Sequence, residues 1–350
     1  MYLHSVDKLS RASTADAKDE LKWRTAAADW ASEQDSRSRL VDKVCRTHSN
    51  SNRRSNSDAG RTLTSLKGLC RDADRWTPTF SHLLVDVDHR VLYCSIPKTA
   101  CTTVTLAIAR MSANGVRMRD LLSAHVHHEK FEREHGIYRL NDYYRKIGAG
   151  DGERADAVRL KSLLGLKKFV VVRHPFERIV SAYVDKFVAS KRDRILEKYG
   201  PRMKHRTKHR GKESASSDGG RYNVTFREFV RYLVDETVLC VEKFNNHWTR
   251  YVDFCHPCHI RYDYIVRYEN FQREIGLVWD EVYRTGSVEE RRNASKLFIT
   301  RNASKVRSRD VLARYMAQLT SDEIVKLYRL YEIDFRMYGY TWPLRNASLS

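Results

Sequence analysis

The sequence has no run of about eighteen consecutive apolar residues, which is the length that a membrane-spanning helix requires. Met1 to Ser10 also lack the apolar core of a secretory signal peptide. We therefore expect the chain as written to be soluble, with neither an anchor nor a leader of its own. Acidic residues are few relative to basic ones: 44 Asp and Glu against 64 Lys and Arg give a formal net charge of +20. This balance favours a polyanionic partner such as nucleic acid, acidic lipid or an acidic glycan.

Several signature motifs are also missing. The sequence contains no G-x-x-x-x-G-K-[ST], which argues against a nucleotide kinase or another P-loop phosphotransferase. No zinc-finger, RRM or helix-turn-helix signature accompanies the basic charge, which argues against a nucleic-acid-binding protein. No cluster of metal-ligating residues is evident either. We therefore expect neither nucleic acid nor a metal ion as a ligand.

The length and composition fit one large domain. The 350 residues, 41% of them apolar, can bury the core of one α/β domain but not of a second. Residues 1–85 are polar and include the low-complexity run 49–57, so we expect a poorly ordered tail there. The domain is predicted over residues 86–342, followed by a short tail at 343–350.

Two strand–turn–helix units follow the predicted tail. The run Val91–Ile96 ends at Pro97 and predicts a buried parallel strand, and the apolar stretch Val104–Met111 predicts a buried helix. Phe169–Val172 predicts a second strand, and apolar residues recur at helical spacing from Phe176 to Phe187. Two such units indicate a parallel sheet. Three further elements are predicted: a helix at Phe226–Leu233, a strand at Tyr264–Val266, and a helix after the capping box Thr320–Glu323.

The turn between the first strand and its helix is a candidate anion site. Free backbone N–H groups and the helix dipole favour a phosphate or sulfate at such a turn, and Lys98 adds a positive charge. The alternative is a surface lysine followed by two threonines that cap the helix, and the loop by itself does not decide between the two. The candidate binding residues are Pro97, Lys98, Thr99, Ala100, Cys101, Thr102 and Thr103.

The second turn offers another anion site. Arg173 stands at the end of the second strand, and Ser181 lies two turns into the helix that follows, so that both could contact a second phosphate. For Glu177 and Arg178 on the same helix, we expect solvated surface charges.

These two segments carry a family resemblance. P-K-T-A-C-T-T and R-H-P-F-E-R-I-V-S-A-Y-V-D-K-F resemble the two motifs with which Golgi carbohydrate sulfotransferases bind 3′-phosphoadenosine-5′-phosphosulfate (PAPS). Later segments resemble, in order, the blocks of the chondroitin, dermatan and HNK-1 type enzymes. Together these matches cover residues 86–342, and they include Phe244–Trp248, Cys255–Cys258, Tyr262–Phe271 and Tyr331–Phe335.

The resemblance implies a fold, a donor and an activity. The fold would be a P-loop-like α/β fold with a central parallel sheet flanked by helices, and the protein would transfer the sulfuryl group of PAPS to a glycan hydroxyl without a metal. Lys98, Thr102 and Thr103 would bind the 5′-phosphosulfate, and Arg173 and Ser181 the 3′-phosphate. Family members are type II Golgi membrane proteins with a lumenal catalytic domain, so the same placement is expected here although no anchor is visible.

One departure from the family pattern leaves an alternative open. Where family members often have Trp-Lys after the first loop, this sequence has Val104-Thr105. The difference puts one adenine or phosphate contact in doubt, and it keeps open an inactive, glycan-binding relative.

The reaction predicts two catalytic roles. Sulfuryl transfer needs in-line positioning and stabilisation of charge on the bridging oxygen, and we assign that charge stabilisation to Lys98. The sugar hydroxyl needs a general base. Among His125, His127 and His128, which lie between the two motifs, His127 is the predicted base, with Glu177 and His247 as weaker candidates.

The acceptor is predicted to be an acidic glycan. Ten Lys and Arg lie between Lys191 and Lys212, directly after the second motif. They form either a track for that glycan or an exposed loop that is basic for solubility. Four sequons, at Asn223, Asn293, Asn302 and Asn346, are sites for N-glycans in a secretory lumen.

The cysteines favour disulfides over a haem or zinc site. Cys255-His-Pro-Cys-His259 fits the C-x-x-C-H pattern of haem attachment, and C-x-x-C also opens many zinc sites, but no second half of either site is present. We expect structural disulfides of unknown connectivity, with at least one of the seven cysteines left over. Cys101 is the one expected to remain a thiol.

Overall fold

The structure is a computed structural model that describes residues 25, 27–48, 80–112, 129–149, 153–189, 194–208, 223–235, 238, 244–283 and 308–342. The strands are β1 Leu83–Asp86, β2 Val91–Cys94, β3 Ile137–Arg139, β4 Lys167–Val172 and β5 Tyr264–Arg267. The helices are α1 27–48, α2 Cys101–Ser112, α3 Glu129–Glu134, α4 Leu140–Lys146, α5 Glu153–Leu164, α6 Pro175–Tyr183, α7 Arg194–Lys208, α8 Phe226–Leu233, α9 Tyr251–Phe254, α10 Phe271–Tyr283, α11 Ser308–Met316 and α12 Ser321–Met337. A π-helix, Val184–Ala189, continues α6.

The five strands form one sheet in the order β3-β1-β2-β4-β5. The strands β2, β4 and β5 run parallel, with Cys94 opposite Val170 and Val172 opposite Arg267. The strand β1 pairs antiparallel with both β2 and β3. The predicted α/β fold class and the three predicted strands are therefore confirmed. The sequence indicated only the parallel part of the sheet, which β1 and β3 extend with antiparallel pairing.

The sheet is covered on both faces. Along β4, Phe169 and Val171 pack against α2 and α10 on one face, whereas Val170 and Val172 face the other side. Side chains alternate across a strand, so a strand that is buried on both faces must be apolar at every position. This explains why continuous apolar runs predicted β2 and β4 correctly.

Residues 27–48 differ from the prediction of a poorly ordered tail. They form α1, which lies along the open edge of β5, where Trp30 stacks on Tyr264 with 5.3 Å between the ring centroids. The Ile265 N–H donates to Gln34 Oε1 over 2.7 Å, and the Ile265 carbonyl accepts from Arg37 Nη1 over 2.6 Å. Because polar side chains satisfy the strand edge, α1 carries little of the apolar periodicity by which sequence analysis finds helices. The tail boundary at residue 85 is also wrong, since β1 begins at Leu83.

Two disulfides fasten these elements together. Cys45 of α1 pairs with Cys258, and Cys94 at the end of β2 pairs with Cys255. The expectation of disulfides is confirmed. Cys255 and Cys258 therefore bond to distant cysteines and cannot serve together as a metal or haem site, and Cys101 carries a thiol, as predicted.

The other predicted helices are also present. The helix α8 begins after Thr225, and α12 begins after Thr320, whose side chain accepts from the Glu323 N–H while Glu323 caps the Thr320 N–H. Both helix starts are capping boxes, and this local signal located α12 in the sequence.

Candidate functional site

The loop between β2 and α2 has an unusual backbone. Lys98 and Ala100 both have positive φ, at 73° and 65°, although neither is glycine. The buried Thr99 between them donates from Oγ1 to the Ile96 carbonyl over 2.9 Å, which holds the turn in place. Left-handed residues alternating with ordinary ones form the backbone concavities that bind anions, and such strain is typical of functional loops. The loop therefore has the shape that an anion site before α2 requires.

The residues that follow the loop begin α2. Thr102 and Thr103 are half-buried in its first turn, whereas Val104 and Thr105 are fully buried. The departure from the family pattern at Val104-Thr105 therefore falls on two side chains inside the domain. Burial raises the pKa of the Cys101 thiol, so this group is protonated at neutral pH.

Arg173, at the end of β4, reaches the loop. Its Nη1 donates to the Lys98 carbonyl over 3.3 Å, and its guanidinium lies 4.5 Å from the ring centroid of Tyr268. The Arg173 N–H also donates to Tyr251 Oη over 3.1 Å, and the Tyr251 hydroxyl donates back to the Arg173 carbonyl over 2.8 Å. The parallel strands β2 and β4 end at the same edge of the sheet, so the two sequence motifs meet there.

Glu177 and Arg178 are not solvated charges, and the sequence prediction for them is wrong. Arg178 is 1% exposed; its Nε donates to the Pro97 carbonyl over 3.2 Å, and its other nitrogens donate to the carbonyls of Thr249 and Asn246 over 2.7 and 3.0 Å. Glu177 is buried beside Arg173, with 3.4 Å between Oε2 and Nε. Because α6 is buried on nearly every side, it leaves no solvated face for these charges. Ser181 lies one turn beyond Glu177, and its side chain is half-buried.

Lys98 belongs to a charged cluster that the motifs did not reveal. Lys98 Nζ and Lys186 Nζ each lie 3.2 Å from Asp185 Oδ2. Burial would raise the pKa of Asp185, but the two ammonium groups hold it below its ordinary value. Asp185 and Lys186 lie in the π-helix, a feature that often marks functional positions in helical segments. The carboxylate is therefore ionised at neutral pH and holds two cations at the loop.

The charges of this cluster act on a histidine, His247. His247 Nδ1 is 2.7 Å from Asn245 Oδ1, and its backbone N–H donates to the same oxygen over 3.0 Å. Burial, followed by the charges of Lys186 and Lys98, lowers the pKa of His247 to about 3. His247, a weaker candidate from the sequence, is therefore a neutral imidazole within electrostatic reach of Lys98. The predicted base His127, with His125 and His128, lies outside the described residues.

In the described part of the chain, no group of three or more His, Cys, Asp or Glu side chains is arranged to hold a metal ion. None of the helices resolved there is both long and apolar enough to cross a membrane. Asn223 of the first sequon is exposed immediately before α8, and the other three sequons lie outside the described residues.

The chain is similar to known proteins over most of its length. The model of the sulfotransferase family matches residues 81–341. The chain is 30% identical to carbohydrate sulfotransferase 11 of Mus musculus over 289 residues, which cover 81% of this chain and 74% of that protein. It is 29% identical to carbohydrate sulfotransferase 11 of Danio rerio, over 87% of this chain and 74% of that protein. It is 27% identical to carbohydrate sulfotransferase 12 of Mus musculus, over 79% of this chain and 67% of that protein. No solved structure matches the chain at comparable significance.

Proposed function

The chain belongs to the sulfotransferase family, and from this premise we propose that it transfers the sulfuryl group of PAPS to a hydroxyl of a carbohydrate. The observation that carries the proposal is the meeting of the Pro97–Ala100 loop, Lys98 and Arg173 at one edge of the sheet. Two cationic side chains and a strained loop before a helix suit a donor whose ribose carries two anionic groups, a 3′-phosphate and a 5′-phosphosulfate. Neither the nucleotide-kinase nor the nucleic-acid alternative is favoured by the family match.

The donor would lie across both motifs. We assign the 5′-phosphosulfate to the loop residues Pro97 to Thr103 and the 3′-phosphate to Arg173 and Ser181. The donated hydrogen bond from Arg173 to the Lys98 carbonyl supports a single continuous site, because one donor molecule could then contact both segments.

In the proposed reaction, the protein positions the reactants and stabilises charge, and it forms no covalent bond to either of them. The acceptor oxygen attacks sulfur in line with the departing phosphate oxygen, and positive charge near that oxygen lowers the barrier. Lys98, held by Asp185, is placed to supply this charge. The assignment of the general base to His127 stays a prediction, and no metal ion is needed for these steps.

The acceptor we propose is an acidic glycan, and we place the protein in the Golgi lumen, where the family resemblance implies a type II membrane anchor. The charge of +20 supports an acidic acceptor, and Arg194, Lys198 and Arg202 give α7 an exposed basic stripe with four-residue spacing. Four-residue spacing places side chains on one helix face, about 6 Å apart along the axis. The two disulfides are typical of an oxidising compartment.

The test is transfer of radiolabelled sulfate from PAPS. The full chain is secreted from cultured cells and offered chondroitin, dermatan, heparan and desulfated glycans, with Lys98→Ala and Arg173→Ala alongside. We expect transfer to fall by about 10²-fold or more in Lys98→Ala, and donor affinity to weaken in Arg173→Ala. Lys326→Ala is the matched control, because Lys326 pairs with Asp322 on the exposed face of α12.

Each outcome separates the alternatives. Label on one glycan class that is lost in both site variants supports the proposal and names the acceptor. If the chain binds PAPS but labels no glycan, the inactive glycan-binding relative is favoured. A chain that stays folded and does not bind PAPS contradicts the proposal.

A further inference from the structure

His247 is fixed by the same side chain that supports the donor loop. Arg178 donates both to the carbonyl of Pro97, at the start of the loop, and to the carbonyl of Asn246, next to His247. The following residue, Trp248, is fully buried and packs against Tyr199 of α7 with 5.1 Å between the ring centroids. The backbone on both sides of His247 is therefore anchored, and one rigid guanidinium sets its position relative to the loop.

The hydrogen bonds of Asn245 define the tautomer of His247. Asn245 Oδ1 receives the backbone N–H of His247, so this atom acts as an acceptor. The same oxygen lies 2.7 Å from Nδ1 of the imidazole, which must therefore carry the proton. The neutral ring then has its lone pair on Nε2. A histidine that accepts a proton at Nε2 requires this tautomer, and an orienting acceptor on Nδ1 is an arrangement that histidine bases use.

Granting the proposed function, we propose that His247 is the general base of the sulfuryl transfer and that Asn245 is its positioning residue. His247 Nε2 takes the proton from the acceptor hydroxyl as the hydroxyl oxygen bonds to sulfur. The bond between sulfur and the bridging phosphate oxygen breaks, and its electron pair leaves on 3′-phosphoadenosine 5′-phosphate. The imidazolium then returns its proton to water, so that atoms and charge balance.

The charges around His247 make this role depend on the donor. Burial lowers the pKa of the imidazole most, Lys186, Lys98 and Arg178 lower it further, and Asp185 raises it. With the site free of anions, burial and the two lysines keep the pKa at about 3, too low for useful proton transfer near neutral pH. An anionic phosphosulfate bound at Lys98 and Lys186 offsets their charge and raises the pKa of His247. The imidazole is therefore a stronger base with the donor bound than without it.

The experiment separates chemistry from donor binding in the full chain. His247→Gln and Asn245→Leu are compared with the wild type for kcat, for affinity to 3′-phosphoadenosine 5′-phosphate by calorimetry, and for thermal unfolding. We expect His247→Gln to lower kcat by about 10²- to 10⁴-fold while the product affinity changes by less than about twofold. His259→Gln, at an exposed histidine outside the site, is the matched control.

Two further readouts would not follow from a purely structural role. Added imidazole should restore part of the activity of His247→Gly. Asn245→Asp keeps an acceptor for Nδ1 and should retain more activity than Asn245→Leu, with a pH profile displaced toward higher pH because the new carboxylate raises the pKa of the imidazole.

The outcomes are distinct. If His247→Gln binds the product normally and keeps kcat within about threefold of the wild type, His247 is not the base. Loss of turnover in His127→Gln but not in His247→Gln would give the role to His127. A wild-type chain that binds no PAPS would instead refute the proposed function on which this inference rests.

Discussion

The Nε atom of Arg178 donates to the carbonyl oxygen of Pro97 over 3.2 Å, so that a side chain from α6 supports the loop before α2. The remaining nitrogens of the guanidinium bond the carbonyls of Asn246 and Thr249. One buried cation therefore joins α6, the loop before α2 and residues 246–249, which are distant in the sequence. It stabilises the site through these hydrogen bonds and does not have to contact the donor.

Replacement of Arg178 should destabilise the whole site. Arg178→Ala leaves three carbonyls without their donor at a cost of about 1–3 kcal/mol for each one that stays buried, so we expect the free energy of unfolding to fall by about 3 kcal/mol or more. Arg178→Lys keeps the charge but not the fork of donors and should recover only part of the loss. Urea unfolding measures the free energy of unfolding of both variants. Arg329→Ala, at an exposed residue of α12, is the control. A loss no larger than that of the control would show that the carbonyls find other partners.

Asp185 should compete with the donor for Lys98. Asp185→Asn removes the negative charge that attracts both ammonium groups, so PAPS should bind more tightly, by about threefold to tenfold for a loss of roughly 1 kcal/mol of charge pairing. The gain should shrink as salt is added. Calorimetry measures it, and Asp322→Asn, which breaks the Lys326 pair on α12, should leave donor affinity unchanged. Weaker binding in Asp185→Asn would mean that the carboxylate orders the lysines instead of competing for them.

Glu274 should make stability depend on acid pH. Burial would raise the pKa of its carboxyl, but hydrogen bonds from Arg37 and from the Arg267 N–H hold it below the ordinary value. Folding therefore favours the ionised carboxylate. Its contribution to the free energy of unfolding is present at neutral pH and is lost as the pH falls through the lowered pKa of the folded state. Glu274→Gln removes the buried counter-ion of Arg37 and leaves the half-exposed Glu33 as its ionic partner. We therefore expect a loss of about 3 kcal/mol at pH 7 that becomes smaller in acid.

The measurement is urea unfolding of both proteins between neutral and acid pH. Glu332→Gln, in a more exposed pair with Arg336, is the control and should show little change. A constant difference between Glu274→Gln and wild type at all pH values would contradict the ionised pair.

The helix α1 should be required for a stable domain. A chain that begins at residue 76 lacks α1 and leaves Cys258 without Cys45, and loss of a native disulfide alone costs about 2–5 kcal/mol. We expect a lower midpoint of thermal unfolding for this chain, and a smaller loss for the double variant Cys45→Ser with Cys258→Ser, which keeps the contacts of Trp30 and Arg37. A chain that begins at residue 25 controls for shortening. Equal midpoints for all of them would show that α1 adds no stability.

The basic stripe of α7 should act on the acceptor alone. Arg194→Glu combined with Lys198→Glu should raise the acceptor KM by about thirtyfold, at roughly 1 kcal/mol per reversed charge, without changing donor affinity. Initial-rate kinetics at two salt concentrations test this, with Lys326→Glu combined with Arg329→Glu on α12 as the control. Equal effects of the two pairs would assign the stripe to general solubility.

The sequence by itself determined the features that depend on neighbouring residues. Continuous apolar runs located β2 and β4, the capping box at Thr320 located α12, and the two loop motifs identified the sulfotransferase family. Each of these signals lies within one element, because hydrogen bonding and burial along a strand or a helix start are governed by adjacent residues.

Only the tertiary structure decided how distant residues act on one another. The sequence suggested a tail where α1 lies and solvated charges at Glu177 and Arg178. Instead, Arg178 bonds to Asn246, about seventy residues away in the sequence, and to Pro97, about eighty residues away. Local pattern does not encode whether a charged residue faces water or a buried carbonyl, since that depends on which segments the folded chain brings together. The elements of the site were therefore readable from the sequence, whereas the hydrogen bonds that position Lys98 and His247 arise only when α6, the loop and residues 244–250 pack against one another.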